Sequence, residues 1–169
     1  KSNIVRFWSA ACSYGEEPYS IAICSKEVLP EEWTVSIYAT DIDEKCLKGA
    51  SQGTYSKEQL KNLDPSLVIK YFEPSGENFK VRDISKLSIR FQKHDLTGEP
   101  PISRHFDAVF CRNVMIYFNE NQKIKMLKDF YNSLSDGGYL IIGKSETLPV
   151  EIRELFAHVS VKEKIFKKV

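Results

Sequence analysis

Histidine is scarce, with 3 in 169 residues, and none stands at ligand spacing from Cys12, Cys24, Cys46 or Cys111. No two of those cysteines are close enough to form a zinc ribbon or a CxxC redox pair. No metal site is therefore expected, and the thiols read as the reduced cysteines of a cytoplasmic protein. No apolar run approaches the ~20 residues of a membrane span, and no stretch has the pattern of a signal peptide. Excess charge is missing too. The balance of 24 basic against 23 acidic residues lacks the strongly basic face that non-specific nucleic-acid binding requires.

What is present suits a globular fold. With 42% hydrophobic and 12% aromatic residues a sizeable core is available. A chain of this size buries roughly 70% of the surface its unfolded form exposes, so residues 1–169 are expected to form one domain without staples. The chain opens on Lys1, not Met, a few residues before a strand-like segment, and reads as a piece of something longer.

Strand-like and helical segments alternate. Ile4 to Trp8 is short, apolar and β-prone. Glu16 to Leu29 carries Tyr19, Ile23, Cys24 and Val28 at helical spacing, with Pro18 in the first turn, where proline is tolerated. "TVSIYAT", Thr34 to Thr40, is a second strand, and a polar helix is expected from Asp43. Leu87 to His94 gives a third strand, and "FDAVFCRN", Phe106 to Asn113, has the continuous apolar run of a central parallel strand. A helix over Asn119 to Leu134 ends at "SDGG", followed by the strand "YLIIG", Tyr139 to Gly143. The closing "HVSVKEKIFKKV" reads as strand, turn and strand. This order implies an α/β fold, with a mostly parallel sheet and an antiparallel C-terminal edge guarded by lysines. Residues 53–86 interrupt the alternation with two polar helical stretches and a small hairpin, and are expected to form an inserted β-subdomain.

Ligands bind beyond the carboxyl ends of strands in such sheets. Those ends carry Ser9 to Glu16, Asp41 and Asp43, Asp95 and Leu96, Arg112, Asn113 and Tyr117, and Lys144 to Glu146. The first turn has the outline of a dinucleotide fingerprint, but Gly15 is its only glycine, which weakens a nicotinamide oxidoreductase reading. Small residues leave room there, while Glu16 and Glu17 would repel a phosphate. The two glutamates either favour a cationic ligand or merely complement a helix N-terminus. Asp41 stands where dinucleotide folds bind ribose hydroxyls, or else it caps the next helix. Room, carboxylates for a cation and an aspartate for a diol together suggest S-adenosylmethionine, which has a ribose, an ammonium and a sulfonium but no phosphate.

"WSAACSYGEEPYSIA", "ATDID", "FDAVFCRNVMIYF" and "GGYLIIGKSE" occur in that order. They resemble the S-adenosylmethionine-dependent methyltransferases that modify bacterial chemotaxis receptors. The resemblance implies a Rossmann-like methyltransferase fold and a glutamate O-methyltransferase. It would convert S-adenosyl-L-methionine to S-adenosyl-L-homocysteine on the cytoplasmic helices of methyl-accepting receptors, acting as a monomer without membrane insertion. It further implies that Ala10 meets the methionine part through its backbone, Glu16 the ammonium end and Asp41 the ribose. Asp95 and Leu96 would lie by the adenine, Arg112 and Asn113 at the ligand-facing end of a strand, and Tyr117 near the transferred methyl, with Tyr117 and Arg112 as the catalytic pair. The family's N-terminal helical domain is absent from this chain. The alternative is a related cofactor-binding or docking domain, acting on another signalling protein or inactive as a fragment. The histidines are expected to be structural or exposed.

Overall fold

The computed structural model describes residues 3–169, which form a seven-stranded sheet and a separate three-stranded one. The large sheet holds β1 (Ile4–Ala10), β2 (Thr34–Asp41), β6 (Ile89–Lys93), β7 (Phe106–Cys111), β8 (Leu134–Ile142), β9 (Phe156–Ser160) and β10 (Ile165–Lys168). Its order is β6-β2-β1-β7-β8-β10-β9. Pairings from β6 to β8 are parallel, and β10 runs antiparallel between β8 and β9. The chain moves from β1 outward through β2 to β6, then returns to the other side of β1 with β7. That reversal leaves a crevice between the carboxyl ends of β1 and β7.

Alternation along the strands sorts side chains onto two faces. On one face Trp8, Val109, Leu140, Ile142 and Phe166 pack with Met126, Leu127 and Phe130 of helix α4 (Glu120–Ser133). Trp8 is 1% exposed, stacks edge-on against Phe130, and donates from Nε1 to Thr40 Oγ1 at 2.9 Å. Helix α4 starts at a full capping box: Asn119 accepts from the Gln122 amide, and Gln122 from that of Asn119. The other face is covered by helix α1 (Glu16–Val28), whose Tyr19, Ile21 and Ile23 pack on Ile37 and Leu87.

Helix α2 (Glu44–Gln52) is capped by Asp43, whose carboxylate accepts from the Lys45 amide at 2.8 Å, so Asp41 is not the cap. The inserted segment contains β3 (Thr54–Tyr55), helix α3 (Pro65–Tyr71), β4 (Phe72–Ser75) and β5 (Asn78–Val81), with sheet order β3-β5-β4. Its Tyr55, Phe72 and Val81 share one apolar cluster with α1. Among the described residues one α-helix forms there, where the sequence suggested two helical stretches, with a short 3-10 turn at Ile84–Leu87; residues 57–63 are turns and a bend. No helix among the described residues is long and apolar enough to cross a membrane.

Candidate functional site

The loop from β1 to α1 is built of small residues because its backbone is contorted. Ala11 (φ 58°), Ser13 (φ 51°) and Gly15 (φ 90°) all lie in the left-handed region, which costs about 1–2 kcal/mol per non-glycine residue and persists only where surroundings enforce it. What enforces it is visible. The Cys12 amide donates to the Thr40 carbonyl at 2.8 Å, the Ser13 amide to Asp41 Oδ2 at 2.8 Å, and the Gly15 amide to the Cys12 carbonyl at 3.0 Å. The Cys12 carbonyl engages one of these amides within the loop, and Thr40 and Asp41 at the end of β2 engage the other two, so a phosphate approaching them would meet occupied donors and two carboxylates.

The adjacent glutamates diverge. Glu16 is exposed and accepts a weak bond from Gln59 Nε2 at 3.3 Å, a contact from the inserted segment. Glu17 is half-buried and accepts from the hydroxyl of the fully buried Ser9 at 2.6 Å. Burial pushes the Glu17 carboxyl above its ordinary range, while the Ser9 hydroxyl and the Arg112 guanidinium pull it partly back. Both glutamates line one cleft of ≈ 880 Å³ with Ala11, Cys12, Ser13, Arg112 and Asn113 at its polar end. Its floor is apolar: Phe7, Phe110, Ile141 and Ile165 come from four neighbouring strands, Phe7 edge-on to Phe110 with ring centroids 6.0 Å apart.

Asp41 ends β2 and stands between the first loop and the next. Its Oδ2 takes the Ser13 amide and its Oδ1 the Asp43 amide at 3.0 Å. A carboxylate has about four lone-pair sites, so roughly two acceptor positions remain, enough for a vicinal diol. Beyond it Ile42, 60% exposed, borders a second cavity with Lys93, Asp95, Gly98 and Glu99. Asp95 turns its carboxylate onto its own loop, accepting from the Thr97 amide at 2.9 Å and hydroxyl at 3.0 Å, and these bonds lower its pKa. The Leu96 side chain is buried in the core, which leaves its backbone as the part able to face a ligand. Ala10, likewise, is 1% exposed and offers backbone alone.

After β7 the chain passes through Arg112 and Asn113 (φ 61°) into a short 3-10 turn, Met115–Tyr117. Arg112 opens on the cleft, and no ion pair within 4 Å joins it to Asp41 or Glu16 among the described residues. Tyr117 is 76% exposed and does not line the cleft. The loop is held from behind by Glu146, a buried residue to which the sequence reading gave no task. His94 packs edge-on to Trp8 and His158 against Phe166, away from the cleft.

The residues fit S-adenosylmethionine: carboxylates for the cationic end, free acceptor positions on Asp41 for a diol, and exposed Ile42 for an apolar ring. Ile42 was missed, although an isoleucine between two aspartates in "TDID" is the signal that could have found it. Glu17, passed over in favour of Glu16, lies deeper in the cleft.

A family profile described as "CheR methyltransferase, SAM binding domain" matches residues 1–165. The chemotaxis protein methyltransferase of Borreliella burgdorferi is 42% identical over 149 residues, covering 85% of this chain and 53% of that protein. The probable chemotaxis protein methyltransferase of Rhizobium etli is 37% identical over 163 residues, covering 93% of this chain and 61% of that protein. The chain thus spans only about half to three-fifths of these relatives' length. In fold, a TehB-like SAM-dependent methyltransferase from Corynebacterium glutamicum aligns with a TM-score of 0.57 at 14% identity, over 99% of this chain and 79% of that one. PKMT2 from Rickettsia typhi, in complex with AdoHcy, aligns with a TM-score of 0.53 at 10% identity, over 83% of this chain and 21% of that one.

Proposed function

The chain belongs to the CheR methyltransferase family, whose SAM-binding domain it matches, and we propose that it methylates glutamate side chains of chemotaxis receptors, giving glutamate methyl esters. S-adenosyl-L-methionine is the cofactor. The observation that carries the reading is the cleft at the β1/β7 switch point, lined by Glu16 and Glu17, with Asp41 next to it and tied to the loop through the Ser13 amide. Held by Glu16, Glu17 and Asp41, the cofactor would supply a sulfonium-bound methyl group to a receptor carboxylate oxygen, the C–S electron pair remaining with sulfur in S-adenosyl-L-homocysteine.

This chain's residues then have three tasks. Glu16 and Glu17 hold a negative potential against the cationic end, and Asp41 accepts from the ribose hydroxyls. Arg112, which lines the cleft, attracts and orients the incoming carboxylate. Exposed Ile116 and Tyr117 bound the path of the substrate side chain and shield it from water. No general base is needed, because a glutamate of reference pKa about 4.3 is already ionised at neutral pH. Two of the thiols are held protonated: burial, with Asp41 and Glu17 nearby, pushes Cys12 up to about 12, and burial raises Cys111 as well. On this reading the substrates are the cytoplasmic helices of the receptors, and the enzyme works in the cytoplasm.

Tyr117→Phe and Tyr117→Ala test the assignment in receptor methylation assays. Turnover should fall about tenfold or more in the alanine variant, with affinity for S-adenosyl-L-homocysteine little changed. Equal losses in both quantities would remove Tyr117 from the transfer step.

A further inference from the structure

Glu146 follows β8 in the turn Gly143–Glu146 and is 8% exposed, one of the few buried charged residues of the fold. Its carboxylate accepts three backbone N–H groups. Oε1 takes those of Gly143 at 2.7 Å and Asn113 at 2.8 Å, and Oε2 takes that of Met115 at 3.0 Å. Two of these donors lie 31 and 33 residues away in sequence, on the loop that carries Arg112, Asn113 and Tyr117. One side chain therefore joins the ends of β7 and β8.

The fit is close enough to dictate its neighbours. A Cβ on Gly143 would lie 2.3 Å from Asn113 Oδ1 and 2.7 Å from Glu146 Oε1, so no larger residue fits between strand end and loop. Asn113 sits at φ 61°, a conformation asparagine tolerates better than most residues, and its amide is one of the three held. Met115, the third, is 3% exposed and begins the turn that leaves Ile116 and Tyr117 open to solvent at 74% and 76%. An exposed loop with no fixed partner would sample many positions. This one is tied at its second and fourth residues, Asn113 and Met115, to a buried charge, through charge-assisted bonds to a single rigid anchor.

We infer that Glu146 is a positioning residue for methyl transfer, setting the height of the Arg112–Tyr117 loop over the cleft while touching neither cofactor nor substrate. The inference rests on the proposed function of the same cleft. Misplacing a reactive alignment by about 1 Å can lower a rate about a hundredfold, so the effect belongs in turnover more than in binding. Of the two obvious substitutions, Glu146→Gln keeps the shape and one acceptor oxygen but sets an NH₂ against backbone donors. Glu146→Ala removes the tie altogether.

The test uses the full-length protein with three measurements on each variant: amide hydrogen exchange at Asn113 and Met115, affinity for S-adenosyl-L-homocysteine, and receptor methylation kinetics. Exchange at the two amides should speed up about tenfold or more, and kcat should fall in the order wild type, Gln, Ala, by about tenfold at the first step. Affinity should fall at least about fivefold less than kcat. A Glu146→Gln protein with kcat within about twofold of wild type overturns the inference, as do kcat and affinity falling in step. Should Glu146→Ala not fold, Glu146→Gln decides by the same criteria. Wild-type turnover on receptor tests the substrate reading, whereas the variant-to-wild-type ratio tests the tie, so the two fail separately.

Discussion

A carboxylate half-buried beside an open cleft destabilises the fold until a cation joins it. Glu17 is in that position: burial raises its pKa, and the Ser9 hydroxyl and the Arg112 guanidinium offset this only in part. The folded protein then holds the Glu17 proton more tightly than the unfolded chain does. Stability therefore falls as pH climbs from the unfolded pKa through the folded one, and stays lowered above it. Glu17→Gln should accordingly melt higher than wild type at pH 8, each 1 kcal/mol of relief appearing as about 2–4 °C, with the gap closing towards pH 4. The same variant should bind S-adenosyl-L-homocysteine more weakly, a trade between stability and function. Melting curves that differ by the same amount at both pH values would show that burial of charge is not the cause. At this scale the sequence was informative about residue type but not about depth. "GEE" announces negative charge at a helix start, yet only the packing of α1 on β1 shows that the second glutamate goes inward and the first towards Gln59. Leu96 and Asp95 illustrate the same gap, since a strand-end position does not say whether side chain or backbone faces the ligand.

The element on which the site depends most is the five-residue turn into α1. Glu16, Glu17 and Pro18 open that helix, where the first amides need no partner and negative charge suits the dipole. Gly15 is its N-cap at φ 90°, and a Cβ there would lie 2.9 Å from Ala50 Cβ and 3.0 Å from Tyr55 Oη. Gly15→Ala thus combines a disfavoured conformation with overpacking against α2 and the inserted segment. It should destabilise by about 2 kcal/mol or more, a fall of at least about 4 °C in Tm by thermal unfolding. An unchanged Tm would mean the turn is softer than its geometry implies. Elements with a clear period were legible: α1, α2, α4 and the terminal hairpin fall within a few residues of where pattern and punctuation put them. The inserted segment was harder. A two-residue strand such as Thr54–Tyr55 has no period to detect and exists only because β5 pairs with it. Of the two polar helical stretches expected within residues 53–86 one forms as α3, while the backbone bonds of residues 57–63 close turns.

At the scale of the molecule, alternating strands and helices implied a parallel sheet with an antiparallel edge, because short antiparallel and long crossover connections differ in sequence. Strand order was not legible, as it depends on which apolar faces meet across long separations. It is nevertheless what makes the site, since the reversal at β1 brings Ser13, Asp41 and Arg112 to one edge of the sheet. On the proposed reading, the engaged amides of Cys12, Ser13 and Gly15 and the carboxylates beside them disfavour phosphate and suit a positively charged nucleoside. The most direct measurement of that claim is calorimetric titration of wild type and Asp41→Ala with S-adenosyl-L-homocysteine, with NAD as the control. Wild type should bind S-adenosyl-L-homocysteine and ignore NAD, and Asp41→Ala should lose about tenfold or more in affinity, about 1.4 kcal/mol. Equal affinity in the two proteins, or comparable binding of NAD, would contradict it.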